Sequence, residues 1–293
     1  MNKWALIVDV SLCVNCSNCV LATKDEYHRN EFPGYAGPQP TGGLDTIRIE
    51  RHTRAGGPLM DVTYIPKTCN HCDDAPCIRA AGDGSVYKRA DGIVMVDPVK
   101  ARGRRDLVAS CPYGMMIWNE TASVAQVWNF DAHLLDQGWK EPRCSQACPT
   151  KALTAVSVTD EKLQQMRDAE GLTVLHPEYN TAPRVFYRHL QDRLGHLVCG
   201  NLVTTDALGR PANLADAELI LRDSADEVVR TARTDEFGDF RFSGLSTEQS
   251  TIRLSIRDNE GERTLLERAR TGSLYLGELT TQGIGDPIPH GAA

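Results

Sequence analysis

The sequence predicts an α+β protein in two parts, on three observations. Nine of its ten cysteines fall between positions 13 and 148, and only Cys199 follows. Among them lie short apolar runs rich in β-branched residues and one strong helix pattern. From residue 196 the pattern becomes an alternation of apolar and polar residues cut by Gly, Asp and Asn, with no helical period. A boundary there gives domains of 1–195 and 196–293, and 293 residues suffice for a core in each.

In the first part, the runs 4–9, 92–97, 114–119 and 152–158 read as strands. Residues 160–170, DEKLQQMRDAE, read as a helix with an acidic first turn that Gly171 ends. The stretch 176–190, with Pro177 and Pro183, reads as an extended arm. A weak repeat, CPYGMMIW at 111 and CPTKALTAV at 148, gives Cys-Pro, a turn and a strand twice. In the second part about seven strands are expected, at 196–204, 217–222, 227–235, 239–242, 251–256, 263–270 and 273–279. Turn signals such as DEFGD and RDNEG separate them, as in a small antiparallel sandwich or barrel.

The net charge of −7 carries no concentrated basic face, which argues against nucleic acid as a partner. No apolar run reaches bilayer length, and the opening MNKWALIVDV has neither a signal core nor a cleavage site. A cytoplasmic chain with no direct membrane insertion is expected. A chain this large does not need disulfide staples, and cysteines two apart in tight loops favour metal.

The metal reading rests on CVNCSNC, where Cys13, Cys16 and Cys19 keep the C-x-x-C-x-x-C rhythm of iron–sulfur ligands. The fourth place of that run holds Thr23. In two-cluster ferredoxins the fourth cysteine of each run serves the other cluster, so the missing ligand belongs at a remote Cys-Pro, Cys111 or Cys148. A second triplet, Cys69, Cys72 and Cys77, lies in CNHCDDAPC. Two triplets and two singles supply two cubane [4Fe–4S] clusters, and the spacing alone leaves open which single joins which triplet. A structural zinc site would favour paired C-x-x-C knuckles.

These residues resemble the ferredoxin-like iron–sulfur subunits of the dimethyl sulfoxide reductase family of molybdenum enzymes. The segments NEFPGY (30–35), DGIVMVDP (91–98), SCPYGMMIWNE (110–120), AHLLDQGWKEPRC (132–144) and TAPRVFY (181–187) are similar to the small subunits of pyrogallol–phloroglucinol transhydroxylases. The resemblance implies a duplicated ferredoxin-like domain and pairs Cys148 with Cys13, Cys16 and Cys19, and Cys111 with Cys69, Cys72 and Cys77. Set against the four-cluster pattern of that family, two further clusters are expected to be lost, the first a loss shared with the transhydroxylase small subunits, which hold three clusters, and the second a departure of this sequence from them. One would need Ala81, Ala101, Arg104 and Leu107; the other would need Thr23, Trp128, Asp131 and Cys144, leaving Cys144 a free thiol and Trp128 a filler.

Other residues carry less. Cys199 reads as a buried strand residue. His71 is either a hydrogen-bond donor near a cluster or a surface residue in a tight turn. Lys100, Arg102, Arg104 and Arg105 read as a solvated basic face. The segments 209–221 and 232–245 resemble a carboxypeptidase-regulatory or transthyretin-like sandwich, a scaffold or docking module. No acid–base pair stands out as catalytic.

The resemblance therefore implies a non-catalytic iron–sulfur subunit. Its larger partner would carry molybdenum as bis-molybdopterin guanine dinucleotide and act on phenols such as pyrogallol, phloroglucinol or resorcinol. The competing expectations are an electron-transfer subunit of another oxidoreductase of that family and a purely structural cluster-binding subunit. The β-rich domain and the arm argue against a free-standing carrier.

Overall fold

The structure is a computed structural model that describes residues 1–42, 45–56, 59–205, 208–246, 250–259 and 261–281. The chain forms an α+β protein of two compact units, Met1–His52 with Thr63–Leu190, and Thr53–Val62 with Gln191–Ala293.

The first unit begins with β1 (Lys3–Asp9), whose Ala5, Leu6, Ile7 and Val8 are all buried. An unbroken apolar run of this kind suits a strand covered on both faces. The cysteine loop and α1 (Asn18–Tyr27) follow, then the two-stranded ribbon of β2 (Ile47–Gly56) and β3 (Leu59–Thr68). Pro76 opens α2 (Pro76–Ala81), where its missing N–H has no helical partner to lose, and left-handed Gly82 closes it. Two small hairpins pair β4 (Val86–Lys88) with β5 (Val94–Val96) and β6 (Ile117–Asn119) with β7 (Val124–Gln126). A 3-10 helix at Arg105–Ser110 lies between them.

Two short helices, α3 (Ala132–Asp136) and α4 (Arg143–Gln146), lead to β8 (Leu153–Val158). The helix expected at 160–170 is α5 (Asp160–Glu170). The Thr159 side chain accepts from the Lys162 amide at 3.3 Å, and Gly171 at φ 60 caps the far end. The arm expected at 176–190 is only partly extended. Left-handed His176, Asn180 and Ala182 and a 3-10 turn at Pro177–Tyr179 precede β9 (Val185–Arg188). β9 pairs parallel to β1 while β8 pairs antiparallel on its other side, so an apparent arm is a sheet strand. Asp9 ties these parts together, accepting from Ser11 Oγ (2.6 Å), His189 Nδ1 (3.0 Å) and Arg188 Nη1 (3.3 Å).

After α6 (Leu190–Leu194), the second unit is β-sheet-rich. β10 (His196–Thr205), β11 (Pro211–Asn213), β12 (Glu218–Arg222) and β13 (Val228–Arg233) lead into β14 (Asp239–Leu245), β15 (Ser250–Asp258), β16 (Gly261–Arg270) and β17 (Leu274–Thr280). All seven expected strands are present, and β11 is additional. One sheet runs β11-β10-β14 with β17 parallel on β10; the other runs β13-β12-β15-β16. Val198, Leu202, Leu219, Leu221, Phe242 and Leu254, from both sheets, pack in one apolar cluster. Gly238 turns the DEFGD hairpin at φ +78, where a Cβ would meet the Leu202 carbonyl oxygen at 2.4 Å. Arg54, almost wholly buried, binds Asp61 (Nε to Oδ2, 2.9 Å) and the carbonyls of Asp192 and Gly195. Arg241 also pairs with Asp61, at 2.9 Å. No described helix is long and apolar enough to cross a membrane.

Two stability predictions follow from these buried carboxylates. Asp61→Ala leaves the Arg54 guanidinium buried without its counter-charge, and the second unit should lose about 3 kcal/mol or more in a denaturant titration; an unchanged midpoint would contradict this. At Asp9, burial pushes the carboxyl up, but hydrogen bonds from Ser11, His189 and Arg188 outweigh it and hold the group at about 2, below its ordinary 3.8. The resulting stabilisation of about 2 kcal/mol is complete above about pH 4 and fades as the pH falls towards 2. Asp9→Asn should therefore melt below the wild type at pH 7, by a margin that shrinks on acidification.

Candidate metal centre

The pairing of β1 with β8 builds the first cysteine set. Val8 faces Leu153 at the end of the ladder, so the loops that carry Cys13 and Cys148 leave the same end of the sheet, and Cys148 acts electrostatically on Cys13. Left-handed Asn15 and Ser17 curl the intervening loop, and amides donate inward: Asn15 to the Cys13 sulfur, Val20 to that of Cys19. Cys19 sits in the first turn of α1, which packs on α4, so Cys148 just beyond α4 lies close by. Cys13, Cys16 and Cys148 all act electrostatically on Cys19. Burial, aided by these neighbours, pushes the Cys19 thiol up to about 11. Cys16 is exposed, Cys13 half-buried, and Cys19 and Cys148 are buried.

The second set forms where β3 runs out into α2. Cys69 and Cys72 flank left-handed His71, Cys77 lies in the first turn of α2, and Cys111 follows the 3-10 helix. Cys111, Cys77 and Cys72 all act on Cys69, whose thiol burial pushes well up. Amides again point at sulfur: His71 to Cys69, Ile78 to Cys77, and Met115 to Cys111 at 3.4 Å. The Thr181 hydroxyl serves Cys72.

These donors suit iron–sulfur clusters. All ten cysteines are free of disulfides. Each set offers four thiols ringed by N–H or O–H donors, the hydrogen bonds that tune cluster sulfurs. Among the described residues no three His, Cys, Asp or Glu side chains converge as ligands to one ion, whereas the four thiolates of a cubane each reach a separate iron. Burial pushes the Cys13, Cys19, Cys69, Cys72 and Cys77 thiols above their ordinary value, and a bound cation inverts that preference.

The positions read as lost ligands are packed with side chains. Ala81, Ala101 and Leu107 are buried in one apolar cluster with Cys69, Val86, Val94 and Met115. Arg104 pairs with Asp83 and Asp106, both at 2.7 Å, and Arg105 with Glu120 at 2.8 Å. The basic run is thus partly neutralised by neighbouring carboxylates.

At the other site read as lost, Thr23 Oγ1 donates to the Cys19 carbonyl at 2.9 Å, and Trp128 stacks on Phe130 at 4.6 Å. His71 is wholly buried, so its reading as a surface residue fails. Its Nδ1 accepts from the Val94 amide at 3.0 Å, leaving the proton on Nε2, and its ring stands edge-on to Trp128 and Phe130. Burial, with Lys88 and Arg184 nearby, holds it at about 3 and therefore neutral.

Sequence reasoning missed the bonds around Asp131. Its Oδ2 accepts from the Arg143 amide at 2.8 Å. The single Tyr27 hydroxyl proton faces both Asn129 Oδ1 at 2.6 Å and Asp131 Oδ1 at 2.9 Å. Burial pushes the Asp131 carboxyl upward, and a proton there completes the second bond. Cys144 beside it is a free, wholly buried thiol.

Comparison with known proteins agrees with this geometry. A family model described as a 4Fe-4S dicluster domain matches residues 60–158. The small subunit of pyrogallol hydroxytransferase from Pelobacter acidigallici is 38% identical over 258 residues, covering 87% of this chain and 91% of that protein. A tetrathionate reductase subunit from Salmonella typhimurium is 30% identical over 197 residues, covering 65% and 74%. Among solved structures, the minor pilin GBS52 of Streptococcus agalactiae aligns at TM-score 0.21 and 10% identity, over 57% of this chain and 82% of that one, too low a likeness to bear on the fold. With most of both chains aligned to the first of these relatives, the chain is a 4Fe–4S iron–sulfur small subunit and belongs to the family that includes the small subunit of pyrogallol hydroxytransferase.

Proposed function

We propose that this chain holds two [4Fe–4S] clusters, one on Cys13, Cys16, Cys19 and Cys148, the other on Cys69, Cys72, Cys77 and Cys111. It would serve as the non-catalytic subunit of a two-subunit enzyme. The observation that carries this reading is the gathering of eight thiols into two sets of four, each ringed by donors. The larger partner would hold molybdenum as bis-molybdopterin guanine dinucleotide and transfer or add hydroxyl groups on a phenol such as pyrogallol, phloroglucinol or resorcinol. Kinship with the Pelobacter acidigallici protein supports this. When bound, the clusters would supply one-electron redox capacity; the chain's own residues would orient them through thiolates and amides, and apolar packing would shield the second set.

The packing of Trp128, Phe130 and Asp131 where a further cluster would stand favours a redox-neutral transhydroxylation. Such a reaction exports no electrons, so interruption between the two sets is tolerable. A duplicated ferredoxin-like origin of 1–195 is supported by the recurrence of Cys-Pro followed by a strand, at Cys111 before β6 and Cys148 before β8. For 196–293, the common apolar cluster of two sheets and the DEFGD hairpin support a transthyretin or carboxypeptidase-regulatory type of sandwich, acting as a scaffold. A cytoplasmic location fits two oxygen-sensitive clusters.

Anaerobically purified protein should contain about eight irons and eight sulfides per chain. Cys148→Ala should lower this to about four, whereas Cys144→Ala should leave it near eight; equal losses from both variants would sink the ligand assignment. A tagged chain produced with its natural partner should bring down a larger molybdenum-containing subunit. Iron-loaded chain recovered alone, with no molybdenum, would contradict the subunit reading.

A further inference from the structure

We infer, on the two-cluster reading proposed above, that Lys88 is a positioning residue for the second cysteine set and that its positive charge raises the reduction potential of the cluster held there. Lys88 ends β4, which pairs with β5 so that Lys88 faces Val94. The Val94 amide donates to His71 Nδ1 at 3.0 Å, and this hairpin therefore lies against the loop that carries Cys69 and Cys72. The Lys88 ammonium has three N–H bonds, and it meets three acceptors on consecutive residues of that loop: the carbonyls of His71 and Cys72, each at 2.8 Å, and the Asp73 carboxylate at 2.9 Å. Its side chain is only 21% exposed, so solvent and salt screen the charge less than on an open surface.

A trans peptide points its C=O and its N–H to opposite sides. Holding the His71 carbonyl on Lys88 therefore turns the Cys72 amide the other way, and that amide serves the Cys72 sulfur. Lys88 thus sets a sulfur hydrogen bond without touching sulfur, as the outer partners of metal ligands do. Its charge acts as well. Burial pushes the Cys72 thiol up, and the Lys88 ammonium opposes that push in favour of the thiolate. Reduction adds one electron to a cluster already carried on four thiolates, so a cation fixed beside the ligand loop favours the reduced form. Asp73 offsets only part of this charge, because Arg184 shares the same carboxylate at 2.9 Å. The loop does not take its shape from Lys88 alone. The Arg184 amide donates to the Asn70 carbonyl at 2.8 Å, the Asp73 amide to the Ala182 carbonyl at 2.8 Å, and the Asp74 amide to the Thr181 carbonyl at 3.1 Å. A variant that lacks the charge should therefore still fold and take up iron.

Titration of the anaerobically purified, iron-loaded full chain with dithionite, followed by electron paramagnetic resonance, reads the potentials. Cys148→Ala, which should keep only the second cluster, identifies its signal. In Lys88→Gln the second potential should fall by about 59 mV, a tenfold change in the ratio of reduced to oxidised cluster, while the first stays in place. Lys88→Arg, which keeps the charge, should stay near the wild type, and Asp73→Asn, which removes the opposing carboxylate, should shift the second potential upward. A wild-type chain with well under about eight irons would sink the two-cluster reading and the role of Lys88 with it. With about eight irons present, an unmoved second potential in Lys88→Gln, an equal fall in Lys88→Arg, or an equal fall of both clusters would overturn the role of Lys88 alone. Should Lys88→Gln shed the second cluster, Asp73→Asn decides, and an unmoved potential there would overturn it.

Discussion

The antiparallel register between β1 and β8 is the constraint on which the first metal centre depends. Cys13 and Cys148 stand far apart along the chain, and the sheet brings the loops that carry them to one end, where α1 also packs on α4. Closing so long a loop loses chain entropy, which the bare thiols cannot recover, since charging any one of them raises the cost of charging the next. The closure is made by the buried run Ala5–Val8 between its two neighbour strands. The sulfur cage is thus assembled by hydrocarbon burial and main-chain pairing, and the thiols arrive as passengers. Asp9 at the end of β1 extends the same control, linking the start of the cysteine loop to the returning β9 strand.

The two places where further clusters are expected to be lost show different physical solutions. Around Ala81, Ala101 and Leu107 the space is closed by small and branched apolar side chains, continuous with the hairpin cores of β4 to β7. Around Trp128 it is closed by stacked aromatics, a neutral imidazole and a bonded carboxyl group. In the second case polar atoms remain: Thr23 is matched to the Cys19 carbonyl and Asp131 to Tyr27 and the Arg143 amide, while Trp128 Nε1 and His71 Nε2 are buried without a hydrogen-bond partner. A carboxyl group so engaged has little left to offer an iron ion.

Much of this was legible in the sequence because it depends on local spacing. The two triplets and the two Cys-Pro singles were visible as a donor inventory, although their pairing came through resemblance. Helix α5 is announced by its own caps, Thr159 and Gly171, and the strands of the second unit by alternation between Gly- and Asp-rich turns. What stayed hidden depends on distant partners. Helix α1, NCVLATKDEY, has little amphipathic character and no side-chain cap, so its stability derives from packing on α4. The segment at 185–188 looks like linker because its hydrogen-bonding partner, β1, lies at the opposite end of the unit. Thr181 reaches Cys72 only because the intervening left-handed residues turn the chain back, and no periodicity announces that. The ribbon of β2 and β3, by contrast, carries its own signals in the alternating IRIERHTR and the Gly-Gly-Pro break.

The ribbon also bears on how freely the two units can be exchanged as parts. Its tip, Thr53–Val62, belongs to the second unit although the residues on either side belong to the first. A chain cut at Leu190 would keep that tip and discard its core, leaving Arg54 without the Asp192 and Gly195 carbonyls that receive its guanidinium. A transplanted second unit would lack the Arg54–Asp61 pair altogether. The β-rich unit is therefore sewn into the iron–sulfur unit at two points of the sequence, and recombination by simple end-to-end fusion would separate neither cleanly.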